Sequence, residues 1–192
     1  MDDFFEPPKK EITSTQVKEF WRYMSYRYDT RVIEKRKSLL MKIVAWLFQL
    51  LRIMKSETFM LGYTTTVGYR IYVPFVPGRT AIGHSLRAQV ATCVHEHVHT
   101  REVELSYLFN SRKRTRSECE AYRATMEVAY WFTGRCPDPA RMAARLGAYR
   151  CTLDDIAFAE AYFTKAAEGI KRGDVITPES QVAFTWWNDR LK

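Results

Sequence analysis

Residues 85–109 read SLRAQVATCVHEHVHTREVELSYLF, and the geometry of this run decides the fold. Three of the chain's four histidines lie in it, at 95, 97 and 99. On a strand all three imidazoles would point to one face. On a helix only His95 and His99 share a face, one turn apart, with Glu96 beside them. Neither Gly nor Pro interrupts the run, Ser85 supplies an N-cap, and the flanks RAQVAT and REVEL favour helix. The run is therefore expected to form one long helix from Ser85 to about Phe109. At ~100° per residue, His97 then points about 160° away from the other two. It cannot share a ligand with them and is expected to be a hydrogen-bonded histidine at a sheet or helix interface.

Outward from this helix the pattern is mostly helical. STQVKEFWRYMSYR (14–27) begins with Ser/Thr and spaces Val17, Phe20, Trp21 and Met24 as one stripe. A second helix is expected from about Thr30 to Lys55. TFMLGYTTTVGYRIYVPFVPG (58–78) is rich in Thr, Tyr, Val and Phe with Gly62 and Gly68, and reads as two short strands or a hairpin. After the histidine helix, SRKRTRS (111–117) reads as a basic loop. A helix follows from Ser117 to Thr133, ended by Gly134, then helices over about 138–148 and 152–171, and a last one opened by Thr177 and Pro178. The expected fold class is α+β: a mostly helical single domain over 1–192, with a small antiparallel sheet or hairpin preceding the H-E-x-x-H helix. Its expected parts are N-terminal helices over 1–57, the sheet and metal-site helices over 58–133, and C-terminal helices over 134–192.

The bulk numbers agree with one well-packed domain: 192 residues, 46% hydrophobic and 14% aromatic, without a Pro/Gly/Ser-rich linker. Thirty Lys+Arg against 22 Asp+Glu give +8, which suits an acidic partner such as nucleic acid or anionic lipid. The charge is spread, however, with local concentrations at 31–37 and 111–117, and such runs are usually solvated flanks. Nucleic acid is therefore not the expected partner. The acidic, proline-broken start is no secretory signal, so a cytoplasmic protein with reduced thiols is expected. Cys93, Cys119, Cys136 and Cys151 lack C-x-x-C spacing; a Cys136–Cys151 pair is the exception that export would allow. LLMKIVAWLFQLLRIM (39–54) is apolar but broken by Lys42, Gln49 and Arg52 and shorter than a span of ~20 residues. It reads as a buried core helix, with peripheral membrane contact as the alternative. Trp186 and Trp187 read as core.

With the run helical, His95-Glu96-His97-Val98-His99 is a full H-E-x-x-H motif. Imidazoles at i and i+4 can converge on one tetrahedral zinc ion, and a catalytic site takes a third ligand and leaves a position for water. No histidine follows His99, and His84 lies before the helix start. The third ligand must then be a carboxylate. Glu118 shares a face with Ala121, Tyr122, Thr125 and Ala129, beside a stripe of small residues, whereas Glu120 aligns with Arg123 and Glu127 on what reads as a solvated face. Glu118 is the expected ligand and Glu120 the alternative.

His95-Glu96-x-x-His99 followed by Glu118-x-x-Ala121 resembles the gluzincin clan of zinc metallopeptidases, which includes thermolysin and the small minigluzincin proteins. The strand GYRIYVP (68–74) is similar to that family's edge strand, along which substrates lie extended. The resemblance covers roughly residues 60–133. It implies a zinc-dependent peptidase acting on a peptide or protein. Its members commonly place Asp four residues after the ligand Glu, where it supports a zinc-bound histidine; Tyr122 stands there in this chain.

The chemistry expected of such a site uses Zn2+ held by His95, His99 and Glu118, with Glu96 as general base for the attacking water. Tyr122 and Tyr72 are candidates to donate to the developing oxyanion, as are Tyr69 and several arginines. The strand Tyr69–Val73 would hold a peptide by β-augmentation. A zinc-holding but inactive peptide-binding module is the alternative, favoured by the neutral Tyr122.

Overall fold

Thr13 opens the first helix through a capping box: its hydroxyl accepts from the Gln16 N–H, and the Gln16 side chain accepts from the Thr13 N–H. The helix that follows, α1 (Ser14–Arg27), buries Val17, Phe20, Trp21 and Met24, the stripe its spacing predicts. The structure is a computed structural model and describes residues 11–52, 55–101, 110–149 and 151–191. These form two compact units, one of Ile12–Thr100 and one running from Arg101. The architecture is α+β, mostly helical with one small three-stranded sheet.

In the first unit, Asp29 takes a left-handed backbone (φ 49°) and turns the chain from α1 into β1 (Arg31–Glu34). A short 3-10 turn, Lys35–Lys37, leads to α2 (Leu39–Leu50), capped by the Ser38 hydroxyl. Next come α3 (Ser56–Gly62), β2 (Thr65–Val67), β3 (Arg70–Val73) and α4 (Leu86–His99). The single helix expected over 30–55 is thus a strand, a turn and α2. Strand-like composition at 58–62 belongs to α3. The hairpin is present as β2 and β3, antiparallel, and β1 joins β3 on its other side in parallel. The strand order β1-β3-β2 makes β3 the central strand, which corrects its reading as an edge.

Two polar side chains tie this unit together. Lys35, fully buried, donates to the carbonyls of Phe59 and Tyr63 at the end of α3, at 3.0 and 2.8 Å, and its Nζ lies 3.6 Å over the Phe59 ring. A cation there satisfies carbonyls that the helix leaves unpaired. Gln89 of α4 accepts from the Gly78 N–H and donates to the carbonyls of Arg79 and His84, fixing the loop ahead of α4. Gly78 has φ 82° and packs against the Ser14 carbonyl so closely that a Cβ would collide with it, so only glycine fits.

The second unit is built on α5 (Ser111–Thr133), α6 (Pro139–Ala144), α7 (Leu153–Lys171) and α8 (Pro178–Arg190). The basic run at 111–117 is the start of α5 and not a loop. Asn110 caps it, and Arg112 is drawn in by Asp155 at 3.5 Å and by the Phe158 ring at 4.5 Å. Gly134 ends α5 in the left-handed region, φ 65°. Cys119, Tyr122, Met126, Leu146 and Phe163 form one buried cluster. Trp131 stacks on Phe184 at 5.4 Å, and Trp186 and Trp187 are buried as expected. Burial of side chains of this size contributes ~1.5–3 kcal/mol each. Cys93, Cys119, Cys136 and Cys151 are free thiols. The final third of the helix expected over 85–109, residues 102–109, lies outside the described residues.

Candidate metal centre

The centre starts from α4. Its N-cap Ser85 accepts from the Ala88 N–H, and from there the helix runs unbroken through His99. One turn of helix separates His95 from His99, and their Nε2 atoms stand 3.2 Å apart with the rings tilted at 76°. Two imidazoles bound to one tetrahedral zinc, at Zn–N of ~2.0–2.1 Å, place their nitrogens roughly 3.3 Å apart. The pair therefore already has the spacing of joint ligands. Donor atoms of His95, His99 and Glu118 all lie within 4.8 Å of one another, and these three residues form a group that can hold a metal ion.

Burial separates the two carboxylates considered as third ligand. Glu118 is 1% exposed, whereas Glu120 is exposed. The face assigned to Glu120 is not simply solvated. Glu127, one turn of helix from Arg123, is fully buried; it accepts from the Arg123 Nε at 3.1 Å and from the Ile176 N–H at 3.2 Å. Its charge is neutralised by a nearly buried arginine rather than by water.

Glu96 lies on α4 next to His95 and is 6% exposed. It accepts a 2.7 Å hydrogen bond from the Thr66 hydroxyl on β2. Thr66 escaped the sequence reading because one Thr in the run Thr64-Thr65-Thr66 carries no mark of its own. Lys35 was missed too. Burial holds its pKa down at about 7, against the pull of the Glu96 charge. Burial, with the same carboxylate, pushes the Cys93 thiol well up, so Cys93 is neutral packing.

His97 turns away from the pair, as the helical angle predicts. Its Nδ1 donates to the Cys93 carbonyl at 2.7 Å, which leaves Nε2 to accept from the Thr30 hydroxyl at 3.0 Å. It is fully buried, 5.4 Å from Tyr28 and 6.4 Å from Trp21 by ring centroids. Burial lowers its pKa to about 4, and the Cys93 hydrogen bond works the other way.

An unfolded histidine titrates near ~6.5, so between that value and about 4 the unfolded chain holds the extra proton. The stability of the neutral ring is complete above pH ~6.5 and is lost as the pH falls through about 4, a loss of about 3 kcal/mol. Urea unfolding in chelator-containing buffer should show wild type losing this stability relative to His97→Gln on acidification. A constant difference between the two across that range would refute it.

Tyr72, on β3, is buried with Met41, Ala45 and Phe59. Tyr122 sits in the α5–α7 core, edge-on to Phe163 at 6.1 Å. Tyr69 is largely exposed in the β2–β3 turn. His84, rejected as a ligand, pairs its Nε2 with the Leu61 carbonyl at 3.1 Å.

No family model, curated protein or solved structure matches this chain. Two imidazole nitrogens and one carboxylate oxygen form a donor set suited to a borderline divalent ion and poorly suited to Ca2+ or Mg2+, which favour all-oxygen sites. With a single carboxylate, a bound divalent ion keeps one net positive charge.

Proposed function

We propose that the protein is a zinc-dependent metallopeptidase, with His95, His99 and Glu118 as ligands and Glu96 as general base. The observation that carries this reading is the grouping of the three donors on and near the helix that also presents a buried, oriented Glu96. A zinc ion held by His95, His99 and Glu118 would supply Lewis acidity to the reaction. Glu96 takes the proton of the attacking water and delivers it to the leaving amine. The Thr66 hydroxyl holds the carboxylate in one orientation, and that orientation is worth most when proton transfer must be aimed. Of the two outer strands, β2 is the one joined to Glu96, so an extended peptide would lie along β2 rather than β3.

Metal removal tests the reading. Freshly purified, tag-free protein should carry about one zinc per chain, cleave members of an unbiased peptide library, stop when chelated and resume when zinc is restored. Cleavage that survives full removal of metal would end the proposal.

The second reading is a zinc-holding module that binds peptides without cutting them. Tyr122 favours it: a buried aromatic stands where the metallopeptidases that the motif resembles place the Asp that supports a zinc-bound histidine. In that case zinc is present and peptides bind, but no library member is cleaved.

A further inference from the structure

The helix α2 has two apolar faces. Met41 and Ala45 are buried, with Val44 and Phe48 packed beside them against Phe59 of α3. On the opposite face, about 180° away by helical spacing, Leu39, Ile43, Trp46, Leu47 and Leu50 are 40–73% exposed. This overturns the expectation of a core helix: only one stripe of α2 belongs to the core. Five large apolar side chains in a continuous exposed stripe are far from the scattered apolar exposure of an ordinary surface.

The rim of the stripe is basic. From Arg36 to Lys55 the chain has five basic residues and no Asp or Glu. Arg36, Lys42, Arg52 and Lys55 are exposed along it, and Lys37 pairs with Glu34 at 2.8 Å. A second copy of this chain packed on the stripe would set one cationic rim against another. An anionic bilayer complements both features, taking the apolar stripe below its headgroups and the basic rim at their level. Trp46, at the middle of the stripe, is the residue type that anchors at that depth. The helix lies on the surface rather than crossing it. Its 12 residues reach ~18 Å against a hydrocarbon core of ~30 Å, and no helix among the described residues is long and apolar enough to span.

We propose that α2 docks the protein on the surface of an anionic membrane. The proposal is independent of the metal centre. Its probe is built in, because Trp21, Trp131, Trp186 and Trp187 are all buried and Trp46 is 61% exposed. The full chain, zinc-loaded or chelated, should co-sediment with vesicles of phosphatidylglycerol and phosphatidylcholine in equal parts, and far less with phosphatidylcholine alone. Trp46 emission should shift to the blue on binding, and high salt should reverse it. Ile43→Asp with Leu50→Asp touches only the exposed stripe. It should keep the wild-type circular dichroism and urea midpoint while weakening vesicle binding by about tenfold or more. Arg36→Glu with Arg52→Glu should weaken binding to the anionic vesicles alone. Equal binding to both vesicle types, undiminished binding by the Asp variant, or self-association through this stripe in place of vesicle binding would each overturn it.

Discussion

Glu96→Gln should leave zinc bound while lowering kcat/KM for peptide cleavage by roughly 10²–10⁴-fold, the contribution of a positioned general base. The substitution keeps the side chain's shape and removes the negative charge that Lys35 and Cys93 feel. The glutamine carbonyl oxygen can still accept from the Thr66 hydroxyl that now lies 2.7 Å from the carboxylate, and it ligates no metal in the proposed site. What it lacks is a basic lone pair for the water proton. Thr66→Val provides the graded companion. It removes a hydrogen bond to a charged group, worth about 1.5–3 kcal/mol, so activity should fall by about tenfold or more through orientation of Glu96. Cleavage measured on one library substrate, with metal content determined on the same samples, checks both. Equal rates for wild type and Glu96→Gln would remove the peptidase reading while leaving the metal centre standing.

The second large effect concerns the ligands. Glu118→Gln should weaken zinc binding by roughly a hundredfold or more, since even the outer partners of metal ligands are worth 10–100-fold. His99→Ala should do at least as much. Glu120→Gln should leave affinity unchanged, because that side chain is exposed and faces away from Glu118 on the same helix. Competition against a chromophoric chelator gives the affinities directly, and the glutamine variants preserve side-chain volume in a helix with a buried face. A larger loss from Glu120→Gln than from Glu118→Gln would reassign the third ligand.

Much of this centre could be read from residue spacing, because helical angles are local. With 85–109 read as helix, the pairing of His95 with His99 and the turning away of His97 follow from ~100° per residue. The same angle separated Glu118 from Glu120. What spacing could not provide was every feature settled by a distant partner. Arg31–Glu34 is strand because β3 offers it a ladder, although RVIE continues an apparently helical run. Glu127 can be buried because Arg123 and the backbone N–H of Ile176 both donate to its Oε1. SRKRTRS begins a helix despite positive charge at the end of the dipole that disfavours it, since Asp155 and Phe158 receive Arg112. In α2 the hydrophobic content was plain, but composition does not tell a surrounded helix from one with an exposed second face.

The parallel ladder between β1 and β3 also sets a constraint on time. β2 and β3 close across a two-residue turn and can pair as soon as both have been made. Arg31 must find Arg70 with α2 and α3 strung between them, a long loop whose closure entropy is met only when those helices have folded. Nucleation is therefore expected in the β2–β3 hairpin and the helices, with β1 arriving late, as its non-local contacts slow the search. Thr30, which holds His97, arrives with it. Pulse-labelled hydrogen exchange should find the β1 amides protected after those of the hairpin; simultaneous protection would contradict this order.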